Sequence, residues 1–177
     1  MIRNYNKDIM EWNEFPPYDI IWTDPPWENG MVKLFQTMLF KDTGKVVQHT
    51  IDEILNHFFQ IADRNKPIIL EYSIRGHEKV LEIAELQGHR VSSLNKRIQS
   101  VNRPFLVIVF NSDVKISEIG KGAQIITNTL KIMEGQVVFD PFAGIGFTAK
   151  AVIESGKTYI GSELNAKRYN KLISVNV

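Results

Sequence analysis

The sequence of 177 residues contains no cysteine. That absence excludes a disulfide framework and any metal site built on thiolate ligands, and it is typical of a reducing compartment. The four histidines are scattered and show no metal-binding spacing such as HExxH. We therefore expect no metal cofactor.

An excess of charge of one sign is also missing, because 21 Lys and Arg face 20 Asp and Glu for a net charge of +1. A nucleic-acid partner would have to meet a local basic patch. No apolar run approaches the ~18 residues of a membrane span, and the opening MIRNYNKDIM lacks the apolar core of a signal peptide. We expect a cytoplasmic protein with no membrane partner, folded as a single domain over residues 1–177.

Short apolar runs alternate with helical patterns along the chain. The runs are continuous rather than alternating, which indicates strands buried on both faces of a parallel sheet. This order predicts an α/β, Rossmann-like doubly wound sheet with helices on both faces. The predicted strands are 18–23, 67–74, 105–110, 136–140 and 158–162, and the predicted helices are 51–59, 77–87, 122–133, 148–155 and 166–174.

Two segments depart from this alternation. Residues 28–49 form a long stretch without a clear period, which predicts a functional or mobile loop. Residues 89–104 lead into strand 105–110 with no helix between them, which predicts an antiparallel pair at the edge of the sheet. Both segments carry basic residues, which suit phosphate contacts as well as simple solvation.

A glycine-containing turn follows the predicted strand that ends at Asp140. Gly144 and Gly146 allow a tight turn and close approach of a ligand, and the helix that begins near Thr148 offers free N–H groups. The next strand ends in Glu163, 23 residues after Asp140, where a carboxylate can accept both hydroxyl protons of a ribose. This order indicates a cofactor that contains a nucleoside.

The acid at the entrance of the loop narrows the choice of cofactor. Pyrophosphate carriers favour a third glycine, and position 149 is alanine. The Asp140 carboxylate would repel a diphosphate and attract a cation. S-adenosylmethionine, with its ammonium and sulfonium groups, fits both observations.

A second motif, DPPW, follows the predicted strand 18–23 directly. Pro25 and Pro26 cannot donate ladder hydrogen bonds and fix φ near −65°, so the strand ends there. Taken alone, the motif fits a stiff turn capped by Asp24. It fits equally a rigid site that holds a carboxylate, a carbonyl and the Trp27 indole in fixed positions.

Together the two motifs resemble a known family. DPFAGIG resembles the DPFxGxG signature of the amino-group DNA methyltransferases, and DPPW resembles their catalytic [DNS]PP[YFW] tetrapeptide. The catalytic motif comes first, as in the circularly permuted β class. The opening up to YDIIWTDPPW and the segment GKGAQIITNTLKIM are also similar to this class, so the resemblance spans roughly residues 2–170.

The resemblance implies an S-adenosylmethionine-dependent, adenine-specific DNA methyltransferase that acts on the N6 amine of a flipped-out base. The Asp24 carboxylate and the Pro25 carbonyl would accept the two amine protons, which frees the nitrogen lone pair, and Pro26 would keep them rigid. Trp27 would stack on the base. Asp at the first motif position favours adenine over cytosine in this family.

The resemblance also implies which residues hold the cofactor. The glycine loop and Thr148 would line the methionine end beside Asp140, and Glu163 would hold the ribose. Asp8 would accept from the cofactor's adenine amine or serve as a turn aspartate, and Lys121 would meet the methionine carboxylate or remain a solvated surface residue. The full set is Asp8, Asp24, Lys121, Asp140, Phe142, Gly144, Gly146, Phe147, Thr148, Glu163 and Leu164.

Some positions depart from the family pattern. Gly122, Ile145 and Phe147 stand where proline and smaller or polar residues are usual. We expect no separate target-recognition domain, so a homodimer or a separate specificity subunit would help to read a site. RNA adenine N6 methylation, DNA cytosine N4 methylation and a non-catalytic nucleic-acid-binding subunit remain alternatives.

Overall fold

The computed structural model describes residues 2–98 and 104–174. Residues 99–103, which belong to the predicted edge segment, lie outside the described part of the chain. Within the described ranges, no helix has the length and apolarity needed to cross a bilayer.

A seven-stranded sheet forms the centre of the molecule, in the order β1-β7-β6-β2-β3-β5-β4. The first five strands in this order, β1, β7, β6, β2 and β3, are parallel to their neighbours. β5 runs antiparallel to both β3 and β4. The strands are β1 (Ile2–Tyr5), β2 (Ile20–Thr23), β3 (Ile68–Ser73), β4 (Val91–Ile98), β5 (Pro104–Phe110), β6 (Val137–Asp140) and β7 (Thr158–Ser162).

Helices cover both faces of the sheet and bury two apolar clusters. Phe58 and Val80 bring α2 and α3 onto one face, and Leu130, Val152 and Leu172 bring α4, α5 and α6 onto the other. The helices are α1 (Asn29–Thr43), α2 (Ile51–Ile61), α3 (His77–Leu86), α4 (Ala123–Ile132), α5 (Phe147–Glu154) and α6 (Ala166–Ser174).

The mixed α/β sheet with helices on both faces is confirmed, as is the antiparallel edge pair. β4 pairs with β5 from Val91 opposite Phe110 to Ile98 opposite Pro104. The circular permutation that the motif order implies stays a prediction.

One predicted segment is wrong. Residues 28–49 are not a structureless loop, because α1 occupies most of them and ends at Gly44, whose φ of 70° is left-handed. The pattern hides this helix, since Val32 and Leu39 are buried whereas Leu34 and Phe40 are more than half exposed. A helix that covers a pocket rather than the core has no continuous apolar stripe.

The first strand was also missing from the apolar runs. Among the described strands β1 pairs with β7 alone, and its residues are half-buried or exposed, so it carries no continuous apolar signal. An edge strand with one neighbour needs less apolar surface than a central strand.

The start of α1 is tied to the start of α2. The Asn29 side-chain oxygen accepts a hydrogen bond of 2.9 Å from the backbone N–H of Ile51. α2 itself begins with a capping box, in which Thr50 and Glu53 satisfy each other's backbone N–H groups.

β2 is the central strand, with β6 on one side and β3 on the other, and Ile20, Ile21 and Trp22 are fully buried. Because β2 and β6 are parallel neighbours, their carboxyl ends lie side by side. The DPPW motif and the glycine loop therefore leave the sheet at the same edge.

Asp19 fixes the other end of this strand pair. Its Oδ2 accepts hydrogen bonds from the backbone N–H groups of Gln136 and Val137, at 2.7 and 2.9 Å. Those two bonds, led by the one from Val137, lower the pKa of Asp19.

Replacing Asp19 with asparagine should lower the free energy of unfolding at pH 7 by about 1 kcal/mol. A depressed pKa means that this contribution is present above the unfolded value of about 3.9 and is lost as pH falls through the lower folded value. Urea unfolding at several pH values should show the difference from wild type shrinking toward pH 3. The control Asp113→Asn removes only an exposed ion pair with Arg90 and should change stability by less than about 0.5 kcal/mol. A loss for Asp19→Asn that does not change with pH would contradict the assignment.

Candidate active site

A pocket lies at the carboxyl edge of the sheet, where β2, β6 and β7 end, and α1 forms part of its wall. The helix contributes apolar side chains, among them Val32 and Phe35. Several residues of the predicted site line this pocket together: Asp8, Asp24, Pro25, Pro26, Phe142, Glu163 and Leu164.

The DPPW motif follows β2 without a break. Trp27 turns back on the motif, and its indole Nε1 donates a hydrogen bond of 2.7 Å to Oδ1 of Asp24. That bond fixes the carboxylate and leaves Oδ2 available for another donor. Trp27 itself lines a second, neighbouring cavity with Tyr72, Arg75 and Lys79.

Asp140 lies directly behind the pocket and is buried. Its Oδ1 accepts hydrogen bonds from the Thr23 hydroxyl, at 2.6 Å, and from the Phe142 N–H, at 3.1 Å. Burial raises the pKa of Asp140 to about 7, and the Thr23 hydrogen bond is the largest opposing effect. The buried Thr148 also stabilises the ionised form. Asp140 thus organises the loop from behind.

The glycine loop adopts a conformation that side chains with a Cβ rarely reach. Gly144 and Gly146 have φ values of 58° and 94°, and Gly146 caps the start of α5. A Cβ added to Gly144 would come within 2.8 Å of a guanidinium nitrogen of Arg168. The loop therefore passes close to α6.

Two further acids border the same pocket. Glu163 follows β7, and its Oε1 accepts a hydrogen bond of 2.8 Å from the Asn165 N–H. Burial raises the pKa of Glu163. Asp8 is buried and caps a short 3-10 turn by accepting from the Met10 N–H at 3.0 Å. Both acids line one pocket, so they can contact different parts of one ligand. Their roles stay predictions.

Other predicted residues lie outside the pocket wall. Lys121 is exposed before α4, and Phe147 is 58% exposed at the start of α5. Gly144, Gly146 and Thr148 also lie beyond the wall. Their assignments to the cofactor remain predictions. In the part of the chain that the structure describes, no three His, Asp or Glu side chains group as metal ligands do.

Glu71 is a site residue that sequence reasoning missed. It interrupts the apolar strand β3, is partly buried, and accepts a hydrogen bond of 2.9 Å from the Trp22 indole. Burial raises the pKa of Glu71 to about 7. The signal in the sequence is a single charge within IILEYS, because buried strands rarely carry an acid without a purpose.

Glu71 acts on Asp24. Desolvation raises the pKa of Asp24 to about 7, the negative charge of Glu71 adds to the rise, and the Trp27 hydrogen bond and Arg168 oppose it. The Asp24 side chain keeps solvent contact, which limits the effect of desolvation. Asp24, Glu71 and Asp140 thus form a group of carboxyls whose pKa values are raised.

Replacing Thr23 with valine should destabilise the protein by about 1–3 kcal/mol, because a buried carboxyl loses its donor. Thr23 stabilises the ionised form of Asp140, so its loss raises a pKa that is already high. The destabilisation should therefore grow as pH rises from 6 to 8. Urea unfolding at both pH values tests this, with Thr23→Ser, which keeps the hydroxyl, as the matched control. Equal stability of the two variants at pH 8 would contradict the role given to the hydrogen bond.

Comparisons with known proteins agree with this arrangement. A family model described as DNA methylase matches residues 123–174, which include the glycine loop and Glu163. Among curated proteins, none matches the chain significantly.

Solved structures with low sequence identity share the fold. The crystal structure of M1.HpyAVI has a TM-score of 0.70 at 17% identity and covers 99% of this chain and 98% of its own. A putative DNA modification methylase from Thermus thermophilus, TTHA0409, reaches 0.64 at 14% identity, covering 97% and 92%. PvuII DNA methyltransferase, which is cytosine-N4-specific, reaches 0.63 at 9% identity, covering 99% and 86%.

These findings support a resemblance to DNA methylases and do not identify the target base. The family match covers residues 123–174, less than a third of the chain, and the shared fold extends over nearly all of it. The match confirms the resemblance to the N6/N4 DNA methylases for residues 123–174, which contain the DPFAGIG motif, and the solved structures confirm the shared fold.

Proposed function

We propose that this protein transfers a methyl group from S-adenosylmethionine to the exocyclic N6 amine of adenine in DNA. One observation carries the proposal: Thr23 bonds to Asp140 and directly precedes Asp24, so the catalytic motif and the cofactor loop meet at one pocket.

The residues of the pocket fit S-adenosylmethionine. Asp8, Asp24 and Glu163 give the wall an acidic character, which suits a ligand with two cationic centres. Glu163 would hold the ribose, Asp8 the adenine amine, and the backbone at Gly144 the methionine end. When bound, the cofactor supplies an electrophilic methyl group. M1.HpyAVI and TTHA0409 have both been solved with S-adenosylmethionine, which supports this choice.

The protein's own contribution is to orient the acceptor amine. The lone pair of the amine nitrogen is delocalised into the base. Two groups that accept hydrogen bonds from both N–H groups are needed to localise the lone pair on the nitrogen. The Asp24 carboxylate and the Pro25 carbonyl supply them, and the prolines remove backbone freedom at that point. Positioning the reacting atoms about 3–3.5 Å apart then lowers the barrier.

The cavity beside Trp27 is suited to the target nucleotide. Trp27 offers aromatic surface to a flipped base, and Arg75 and Lys79 offer positive charge to its flanking phosphates. Asp24 lines the cofactor pocket and Trp27 the second cavity, so the motif forms the wall between donor and acceptor.

Adenine is favoured over cytosine by Asp at the first motif position. The structural neighbours do not decide this, since PvuII DNA methyltransferase is cytosine-N4-specific. Incubation with labelled S-adenosylmethionine and either DNA or RNA, followed by digestion to nucleosides and mass spectrometry, tests the proposal. N6-methyldeoxyadenosine supports it. N4-methyldeoxycytidine, label in RNA alone, or no label with cofactor bound would each overturn it.

Replacing Asp24 with alanine should reduce methyl transfer by about 100-fold or more, because the acceptor amine loses its main anchor. The cofactor should still bind, with a loss of affinity far smaller than the loss of rate, because Asp24 is only one of three acids in the pocket wall. Rates from labelled cofactor and binding by calorimetry check both parts. The exposed Asp113→Ala variant is the control. Full activity in Asp24→Ala would refute the catalytic assignment.

Replacing Trp27 with phenylalanine should shift the acid limb of the pH profile of kcat/KM upward by up to about one unit. Phenylalanine keeps an aromatic face for stacking and removes the indole N–H. That N–H favours the ionised Asp24, so its loss raises the pKa and activity falls off at a higher pH. Rates between pH 5.5 and 9 measure the shift. An unchanged acid limb with a reduced plateau would mean that Trp27 acts by stacking alone.

A further inference from the structure

Arg168 on α6 is a cation in the wall of the cofactor pocket whose purpose the sequence did not suggest. Its guanidinium lies 4.8 Å from the centre of the Phe35 ring of α1. It is also the neighbour of Gly144 that a Cβ at that position would meet. Arg168 therefore lies between helix α1 and the glycine loop.

The hydrogen-bonding capacity of Arg168 is not used up by the protein. Its Nε is buried and has no hydrogen-bond partner among the described residues. The nearest acid, Glu163, places Oε2 at 3.7 Å from Nε, which is an ion-pair distance and too long for a hydrogen bond. A buried guanidinium donor without a hydrogen-bond partner is costly, so the site is arranged for an additional anionic ligand.

The charges around the pocket restrict where such an anion can bind. Asp8, Asp24 and Glu163 would repel it, and the other cation of the wall, Lys7, lies 4.1 Å above the ring of Trp12. Of these two cations in the pocket wall, Arg168 is the one that adjoins Gly144 of the glycine loop.

We propose that Arg168 binds the carboxylate of the methionine moiety of S-adenosylmethionine. This inference rests on the proposed function and adds a residue to its site. The carboxylate is the only anionic group of that ligand, and a guanidinium can hold it with two parallel hydrogen bonds. Arg168 would hold the carboxylate near Gly144. It also faces Glu163, which would hold the ribose, so the two neighbouring side chains would hold two parts of the ligand.

This assignment takes over the role predicted for Lys121. Lys121 is exposed and does not line the pocket, whereas Arg168 does. A DNA phosphate is a weaker choice of anion, because Arg168 is covered by Phe35 and only 30% of its side chain is exposed.

The test compares two ligands that differ only in the carboxylate. Decarboxylated S-adenosylmethionine keeps the sulfonium and the ammonium, so calorimetric titration of wild type with both ligands isolates the carboxylate contribution. Arg168→Met should weaken binding of S-adenosylmethionine by about 10- to 100-fold and that of the decarboxylated ligand by less than about threefold. Arg168→Lys should retain part of the preference because it keeps the charge.

Lys7→Met is the matched control, since it removes the other cation of the same wall. It should leave the preference for the carboxylate-bearing ligand intact. Thermal melting of each variant verifies folding, and Arg168→Lys serves where the methionine variant does not fold.

Other results would overturn the inference. An equal loss for both ligands would mean that Arg168 only packs against Phe35. Tighter binding by Arg168→Met would mean that the guanidinium obstructs the ligand. Unchanged cofactor binding with weakened DNA binding would assign it to a phosphate. Wild type that binds both ligands equally would refute this inference alone, whereas wild type that binds neither would refute the proposed function as well.

Discussion

The hydrogen bond between Thr23 and Asp140 is the contact on which the site depends. It joins the last residue of β2 to the last residue of β6; DPPW starts immediately after Thr23, and DPFAGIG starts at Asp140. The bond can form only because the two strands are parallel neighbours, and Asp19 holds the same pair together at their other ends. Sheet register and site geometry are therefore one constraint.

The site also brings three carboxyl groups close together, and their negative charges repel one another. Asp24, Glu71 and Asp140 lie close enough to influence one another. Burial raises the pKa of Glu71 and Asp140 to about 7, and desolvation together with the charge of Glu71 raises that of Asp24. Their cost is reduced by donors from Thr23, Trp22 and Trp27. Two of those donors are indoles, which fill apolar space and still offer one N–H. This explains why tryptophan serves well both within β2 and in DPPW.

Much of the fold could be predicted because its central strands are buried on both faces and leave continuous apolar runs. The capping box at Thr50 and Glu53 marked the start of α2 correctly. The sequence did not predict β1, because it is half-exposed and has one neighbouring strand. It did not predict α1, because that helix is half-exposed and lines a pocket. Their position depends on tertiary contacts such as the one between Asn29 and Ile51, which no local pattern records.

The same reasoning applies to the site. Asp24, Asp140 and Glu163 could be predicted because each lies at the carboxyl end of a recognisable strand. Arg168 and Glu71 could not be placed, because a charge on a helix or strand acquires its meaning only from what faces it. The sheet brings Glu71 toward Asp24 from a neighbouring strand, and α6 brings Arg168 to Gly144.

The tie between Asn29 and Ile51 has a consequence for the catalytic segment. Asp24–Glu28 is held at one end by the buried strand β2 and at the other by a helix start that is bonded to α2. Two of its five residues are prolines, so few torsions remain free. The conformational entropy of this segment is therefore lost when the chain folds and not when the substrate arrives, and each encounter with a nucleotide meets acceptors that are already in place.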